Sequence, residues 1–268
     1  MANFEQLFDI SGKVALVTGG GSGIGEMMTE ALVEAGCKVF IASRKYGPLK
    51  EVADRLNAIG PGTVDVLTAD LSTEEGLNGL VSQLKEATSK LDILCNNSGA
   101  TWGAATEDYP REAWDKIINI NLTAVGDLTL KLAPLLEKSG SKDDPSRIIN
   151  TGSVMGTRAM ASSGGANKVF SYNASKAAVH HLTKVFANEF TQKNITVNAI
   201  APGPFQSRMM AFATDTEEKR DMMGKTVPLG RIGSPDDMTC VIRYLCSKGG
   251  GYITGAIIPI DGGISAMP

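Results

Sequence analysis

The chain has 268 residues, 43% of them hydrophobic, and a formal net charge of −3. That length and apolar content suit one large α/β domain, or at most two small ones, with a substantial core. The near-neutral charge, the absence of a basic stripe and the 6% aromatic content exclude a nucleic-acid partner as a working expectation.

In chain order, Met1–Glu5 lacks the basic-then-apolar pattern of a secretory signal. Val14–Thr18 reads as a first strand, followed by a glycine-rich turn and a helix to about Ala35. Lys38–Ala42 is a second strand with a helix over Pro48–Ile59; Val64–Thr68 is a third, with a helix over Glu74–Thr88. Asp92–Cys95 is a fourth, followed by one long helix over roughly Arg111–Glu137. Arg147–Thr151 is a fifth with a helix over Ser171–Gln192, Ile195–Ile200 a sixth and Ala256–Ile260 a seventh. Such β-α alternation predicts a doubly wound, mostly parallel seven-stranded sheet with helices on both faces, in a single domain spanning 1–268. Ser139–Ser146 reads as a surface loop and 202–233 as an irregular substrate-loop region able to close over a ligand. No apolar run approaches the roughly 20 residues of a membrane span. Cys37, Cys95, Cys240 and Cys246 lack metal-ligand spacing and read as small apolar residues in a reducing, cytoplasmic setting, with no metal site.

Thr18-Gly-Gly-Gly-Ser-Gly-Ile-Gly25 lies between the first strand and its helix. Glycines let the backbone turn sharply and approach a pyrophosphate, which free N–H groups and the positive dipole end of a helix N-terminus then hold. Gly19, Gly21, Ser22, Gly23, Ile24 and Gly25 are therefore candidate dinucleotide contacts. The spacing Gly-x-x-x-Gly-x-Gly behind a threonine resembles the short-chain dehydrogenase/reductase family, and the resemblance runs over essentially the whole chain.

The second strand runs into Ser43-Arg44-Lys45, with no acid to bind a ribose 2′-hydroxyl. A guanidinium suits a 2′-phosphate by bidentate hydrogen bonding, so the expected cofactor is NADPH. The resemblance further implies cofactor contacts at Asp70 and Leu71, at Asn97 and Gly99 of Asn96-Asn-Ser-Gly99, at Pro202 and Gly203, and at Ser207. Asp70 also reads as a helix-capping or turn residue.

Tyr-x-x-x-Lys occurs three times: Tyr46 with Lys50, Tyr172 with Lys176, and Tyr244 with Lys248. Tyr46 precedes a helix-starting Gly-Pro turn, and Lys248 sits where a helix ends before Gly249. Only Tyr172-Asn-Ala-Ser-Lys176 opens a long helix after the fifth strand, whose end carries Ser153. Residues at i and i+4 share a helix face, so both side chains reach one cleft.

Reducing a ketone makes an alkoxide that needs a proton, and a tyrosine pKa near 10 makes that exchange slow at neutral pH. Lowering it about three units takes roughly 4 kcal/mol, which one ammonium about 4 Å away supplies at an effective dielectric of 20. Lys176, with an oxidised nicotinamide, is expected to provide it and to hold the nicotinamide ribose, while Ser153 bonds the substrate oxygen. Asn121 matches the family's helix asparagine that supports the lysine; Asn119 lies only two residues away.

Trp102, Ser153, Met155, Phe205, Met209 and Met210 are pocket candidates, and they suggest an uncharged carbonyl substrate. His180 and His181 read as surface or interface residues. Ser153 and Tyr172 stand farther apart than is common in the family, and the extra residues fall in Ala161–Ala166. The whole pattern is similar to the ketone and 3-oxoacyl reductase branch, including enzymes of the 3-quinuclidinone reductase kind. Membership implies a homotetramer paired through the helices around Asn121 and Tyr172. An alcohol or sugar dehydrogenase running oxidatively, or a dinucleotide sensor without turnover, are the alternatives.

Overall fold

The first strand, β1 (Val14–Thr18), sends Ala15 and Val17 into one apolar cluster and Val14 and Leu16 into another. Side chains alternate across a strand, so a strand covered on both faces is apolar throughout. The computed structural model describes residues 3–159 and 168–267. Beside β1 lie β2 (Lys38–Ser43), β3 (Thr63–Thr68), β4 (Ile93–Asn96), β5 (Ser146–Thr151), β6 (Ile195–Pro202) and β7 (Ile257–Ile260). They form one sheet in the order β3-β2-β1-β4-β5-β6-β7, every neighbouring pair parallel. This is the doubly wound sheet that the alternation predicts.

The helices among the described residues are α1 (Phe4–Phe8), α2 (Gly23–Glu34), α3 (Tyr46–Asn57), α4 (Glu74–Ala87), α5 (Arg111–Ile118), α6 (Ala124–Ser139), α7 (Val154–Thr157), α8 (Phe170–Phe190), α9 (Ala211–Thr214), α10 (Glu217–Gly224) and α11 (Pro235–Cys246). Leu32 of α2, Leu56 of α3 and Leu245 of α11 cover one face of the sheet. Leu84 of α4, Leu132 of α6 and Phe190 of α8 cover the other. No helix among the described residues is long and apolar enough to cross a membrane.

Two expectations gain detail in the structure and one needs correction. The long helix expected over 111–137 runs unbroken over 111–139, with a π segment at Asn119–Thr123 dividing it into α5 and α6. The region 202–233 is not simply irregular: it carries a 3₁₀ turn (Arg208–Met210), α9 and α10. The 139–146 segment is a surface loop as read, anchored where Asp144 accepts from Lys13 Nζ at 2.7 Å and from an Arg147 terminal nitrogen at 3.1 Å. The sequence reading also leaves α11 without boundaries, although Ser234 and Asp237 form a reciprocal capping box with Pro235 at the first turn.

Arg147, fully buried at the start of β5, joins that loop to the end of α11. Its Nε donates to the Leu245 carbonyl at 3.1 Å and a terminal nitrogen donates to the Ser247 carbonyl at 2.8 Å. These are among the last carbonyls around the helix end, which carry the negative end of its dipole. Burial pulls the Arg147 pKa down while Asp144 works the other way. Arg147→Ala takes a donor from the buried Leu245 and Ser247 carbonyls and from Asp144, and empties a buried site. It should lower stability by about 3 kcal/mol, read as a shift of the urea midpoint at unchanged slope.

Candidate active site

The strand order reverses between β1 and β4, which places a crevice beyond their carboxyl ends. Thr18 and Asn97 brace it. Thr18 Oγ1 accepts from the Asn97 and Ser98 N–H groups at 2.9 and 3.0 Å and donates to the Cys95 carbonyl at 3.3 Å. Asn97 Nδ2 donates to the Thr18 carbonyl at 3.1 Å, and Thr151 Oγ1 donates to Asn97 Oδ1 at 3.2 Å. One asparagine thereby ties together the ends of β1, β4 and β5.

The glycine turn lies on this brace. Gly19 and Gly23 take φ of +69° and +55°, where a side chain is strained. A Cβ on Gly25 would fall 2.2 Å from the Gly19 carbonyl oxygen and 2.4 Å from Asn97 Nδ2. Ser22 occupies the N-cap of α2 without a side-chain cap, so the first N–H groups of the helix keep no side-chain partner. Gly21 packs on Leu49, Ile24 packs partly into the core, and Ser207 stands against Gly23. Beyond β2, Arg44 and Lys45 are exposed and make no ion pair among the described residues, and Ser43 is half-buried. Asp70 accepts from the Ser72 N–H and hydroxyl, the turn role open to it in sequence; these bonds and then Arg44 lower its pKa. Leu71 is buried beside it. Gly203 donates its N–H to the Ile260 carbonyl at 2.9 Å, directly after Pro202 ends β6. A close-packed glycine cradle, an uncapped helix and two free cations fit a dinucleotide carrying an extra phosphate.

On α8, Tyr172 and Lys176 share a face, with Lys176 Nζ 5.7 Å from the Tyr172 ring centroid. Lys176 Nζ donates to the Thr151 carbonyl at 2.6 Å. Ser153 caps α7, its hydroxyl accepting from the Met155 N–H at 3.1 Å, and it is the neighbour that draws the Tyr172 pKa down. The capping and site readings of Ser153 thus coexist. Asn121, within the π turn, accepts from the Ala100 N–H at 2.8 Å and donates to the Ala100 carbonyl and Ser175 Oγ, both at 3.0 Å. Asn119 points elsewhere, to the Ser72 carbonyl. A Cβ on Gly99 would touch both Asn121 Oδ1 and Lys176 Nζ, at 3.1 and 3.7 Å. The other two Tyr-x-x-x-Lys pairs lie outside: Tyr46 is exposed with Lys50 on Asp54, and Tyr244 packs on Phe8.

The electrostatics differ from the simple expectation. Burial pushes the Tyr172 phenol up, with the Ser153 hydrogen bond opposing it, and burial draws Lys176 down to about 8. Desolvation is the first cause for both groups, so the lysine alone does not acidify the phenol.

His180 is a correction: it is a buried residue one further turn along α8, not a surface one, while His181 is exposed. Its Nε2 accepts the Ser153 N–H at 3.4 Å. The spacing 172, 176, 180 was the signal for it. Tyr109 was also missed: its hydroxyl bonds Ser171 Oγ at 2.7 Å and donates to the Trp102 carbonyl at 3.3 Å. Trp102 is half-buried under Lys116, and Met155 packs on Val154 and Val227. Phe205 is buried against Gly233, bordering a cleft of about 300 Å³, and Met209 is exposed. The excursion at 161–166 lies outside the described residues.

A family model described as enoyl-(acyl carrier protein) reductase matches residues 19–265. The chain is 41% identical over 256 residues to the rhamnolipids-biosynthesis 3-oxoacyl-[acyl-carrier-protein] reductase of Pseudomonas aeruginosa, covering 96% of this chain and 97% of that protein. It is 34% identical over 263 residues to the 2-dehydro-3-deoxy-D-gluconate 5-dehydrogenase of Bacillus subtilis, covering 98% of each. Among solved structures, the Pseudomonas aeruginosa RhlG/NADP active-site complex superposes with a TM-score of 0.91 at 41% identity, over 97% of this chain and 99% of that one.

Burial, then the Lys176 charge, lowers the His180 pKa from 6.5 to about 4. Between those values the unfolded chain takes up a proton that the folded chain refuses, so stability present above pH 6.5 is lost as the pH falls to about 4. Urea midpoints across this window should show a His180-dependent loss on the order of 3 kcal/mol, which His180→Gln removes.

Proposed function

The chain belongs to the short-chain dehydrogenase/reductase family, and from that membership we propose that it reduces a ketone to a secondary alcohol with NADPH, Tyr172 giving the proton. One observation carries the reading: Ser153, Tyr172 and Lys176 converge beside a glycine cradle whose flanking strand ends in the unpaired Arg44. The NADP named in the solved relative's title agrees with Arg44 as the 2′-phosphate partner.

Gly19 to Gly25 and the α2 N-terminus would hold the pyrophosphate, Arg44 with Ser43 and Lys45 the 2′-phosphate, and Lys176 the ribose beside the nicotinamide. Asp70, Leu71, Asn97, Gly99, Pro202, Gly203 and Ser207 line the same path. Bound there, the reduced nicotinamide supplies the hydride and, once oxidised, a positive charge near the phenol. The Ser153 hydroxyl donates to the carbonyl oxygen and steadies the charge that develops on it. Tyr172 Oη gives that oxygen its proton. A phenol held protonated by burial is the form a proton donor needs, and the Lys176 ammonium then stabilises the phenolate left behind. Asn121 keeps Ala100 and Ser175 in place around the lysine.

Trp102, Met155, Phe205 and Met209 support an uncharged substrate. The gluconate-type relative keeps a sugar dehydrogenase as the second reading; Arg44 favours the reductive direction, because NADPH serves reductions. Free thiols at Cys37, Cys95, Cys240 and Cys246 support a reducing, cytoplasmic setting. Exposed Trp114, Leu130 and Val185 on α5, α6 and α8 support assembly into a homotetramer through those helices.

Tyr172→Phe should lower kcat on the order of 10²–10⁴-fold while NADPH affinity, followed by nucleotide fluorescence, stays as in the wild type. Near-wild-type turnover of cyclic ketones, 3-oxoacyl thioesters or sugar substrates by that variant would remove the mechanism. Arg44→Asp should shift the NADPH-to-NADH ratio of kcat/KM by about 1.5–3 kcal/mol, roughly ten- to a hundredfold. An unchanged ratio rules out Arg44 as the phosphate partner.

A further inference from the structure

Two i, i+4 steps along α8 place Tyr172, Lys176 and His180 on one face, yet only the first two have a part in the reaction above. We propose that His180 is a positioning residue: its neutral imidazole holds the Gly152–Ser153 backbone so that the Ser153 hydroxyl faces the substrate oxygen. The inference rests on the reading of Ser153 as the group that bonds that oxygen.

The geometry is specific to this pair of segments. His180 Nε2 accepts the Ser153 N–H at 3.4 Å, and both residues are buried. A Cβ on Gly152 would fall 2.1 Å from His180 Nε2 and 2.9 Å from the Ile200 carbonyl oxygen. One on Gly156 would fall 2.6 Å from the Lys176 carbonyl carbon. Gly152 in the turn after β5 and Gly156 within α7 thus let this segment pack closely on α8, with the imidazole against Gly152. Gly152 is pinned from the other side, its N–H donating to the Ile200 carbonyl at 2.8 Å. The Ser153 carbonyl in turn accepts the Gly156 N–H at 2.9 Å, so the backbone on both sides of Ser153 is held and its Cα–Cβ direction is set, while the Met155 N–H at 3.1 Å orients the hydroxyl.

An acceptor is needed at that spot, because the Ser153 N–H is buried and a buried donor left unpaired is costly. Burial and the Lys176 and Lys184 charges keep the ring unprotonated at neutral pH, so its lone pair stays available. A packing role alone would be met by any side chain of similar volume; a positioning role requires the lone pair.

Four variants separate these roles: His180→Leu, which keeps the bulk and loses the acceptor; His180→Gln, which keeps an acceptor; Ser153→Ala; and the Ser153→Ala, His180→Leu double variant. In His180→Leu, kcat should fall about tenfold or more, with KM and the NADPH dissociation constant changed by less than about twofold. His180→Gln should recover most of the loss. In the Ser153→Ala background, His180→Leu should cost nothing further, since the hydroxyl it aims is gone. Independently of turnover, amide hydrogen exchange in the peptide spanning 150–157 should speed up in His180→Leu and stay near wild type in His180→Gln. Equal kcat in the Leu and Gln variants, or an undiminished loss in the Ser153→Ala background, overturns the positioning role. Wild-type kcat in Ser153→Ala would instead overturn the reading of Ser153 beneath it. Should His180→Leu fail to fold, His180→Met serves as the acceptor-free variant.

Discussion

Thr18 and Asn97 carry the constraint on which the rest of the site depends. At a reversal of strand order the neighbouring chains leave the sheet in opposite directions, which opens the crevice but leaves the two strand ends with few shared partners. Here a single hydroxyl accepts two N–H groups from the β4 end, and the Asn97 amide returns a bond to the β1 end. A fourth bond, from Thr151, fixes the end of β5 in the same frame. The glycine turn hangs from β1, the loop with Gly99 and Trp102 from β4, and Ser153 from β5. Their relative positions are therefore set before any ligand arrives, and Gly25 packs directly against the asparagine that sets them.

Burial, more than ion pairing, governs the charged groups around that frame. It moves the tyrosine up and both the lysine and the histidine of α8 down, in each case away from the charged form. The lysine at about 8 stays mostly protonated at neutral pH, whereas the histidine at about 4 stays neutral. One helix face therefore presents a protonated phenol, a cation and a neutral acceptor in successive turns. Three residues within nine positions hold three different states because their starting pKa values differ, not because their surroundings do.

The sheet was legible because its strands are buried on both faces, and burial of that kind writes continuous apolar runs such as Val14–Val17. The glycine turn and the Tyr172-to-Lys176 spacing were legible because local geometry alone produces them. The π turn at Asn119–Thr123 was not, since its partners Ala100 and Ser175 are distant in sequence and no local pattern announces them. His180 carries the right helical spacing, but its partner is not local: its bond to Ser153 spans 27 positions. The helix α11 shows the opposite failure: Ser234-Pro-Asp-Asp237 is a complete local start signal, overshadowed by the proline- and methionine-rich stretch before it.

The register of α8 is the last element that has to be specified, and hydrophobic packing is poorly suited to the task. A slide by one turn displaces every side chain by about 5.4 Å while exchanging one apolar residue for another. Polar partners do not exchange in that way. Ser171 bonds the Tyr109 hydroxyl, Ser175 bonds Asn121, Lys176 bonds the Thr151 carbonyl, and Thr183 accepts from Asn150 Nδ2 at 3.0 Å. Asn150 accepts in turn from Asn96, which also reaches Thr129 on α6, both at 2.9 Å. Any other register would leave several of these buried groups unpaired at once, each at about 1–3 kcal/mol. The chain therefore accepts polar residues in the middle of its core because they give the active-site helix one position along the sheet, and that position sets where the phenol of Tyr172 meets the end of β5.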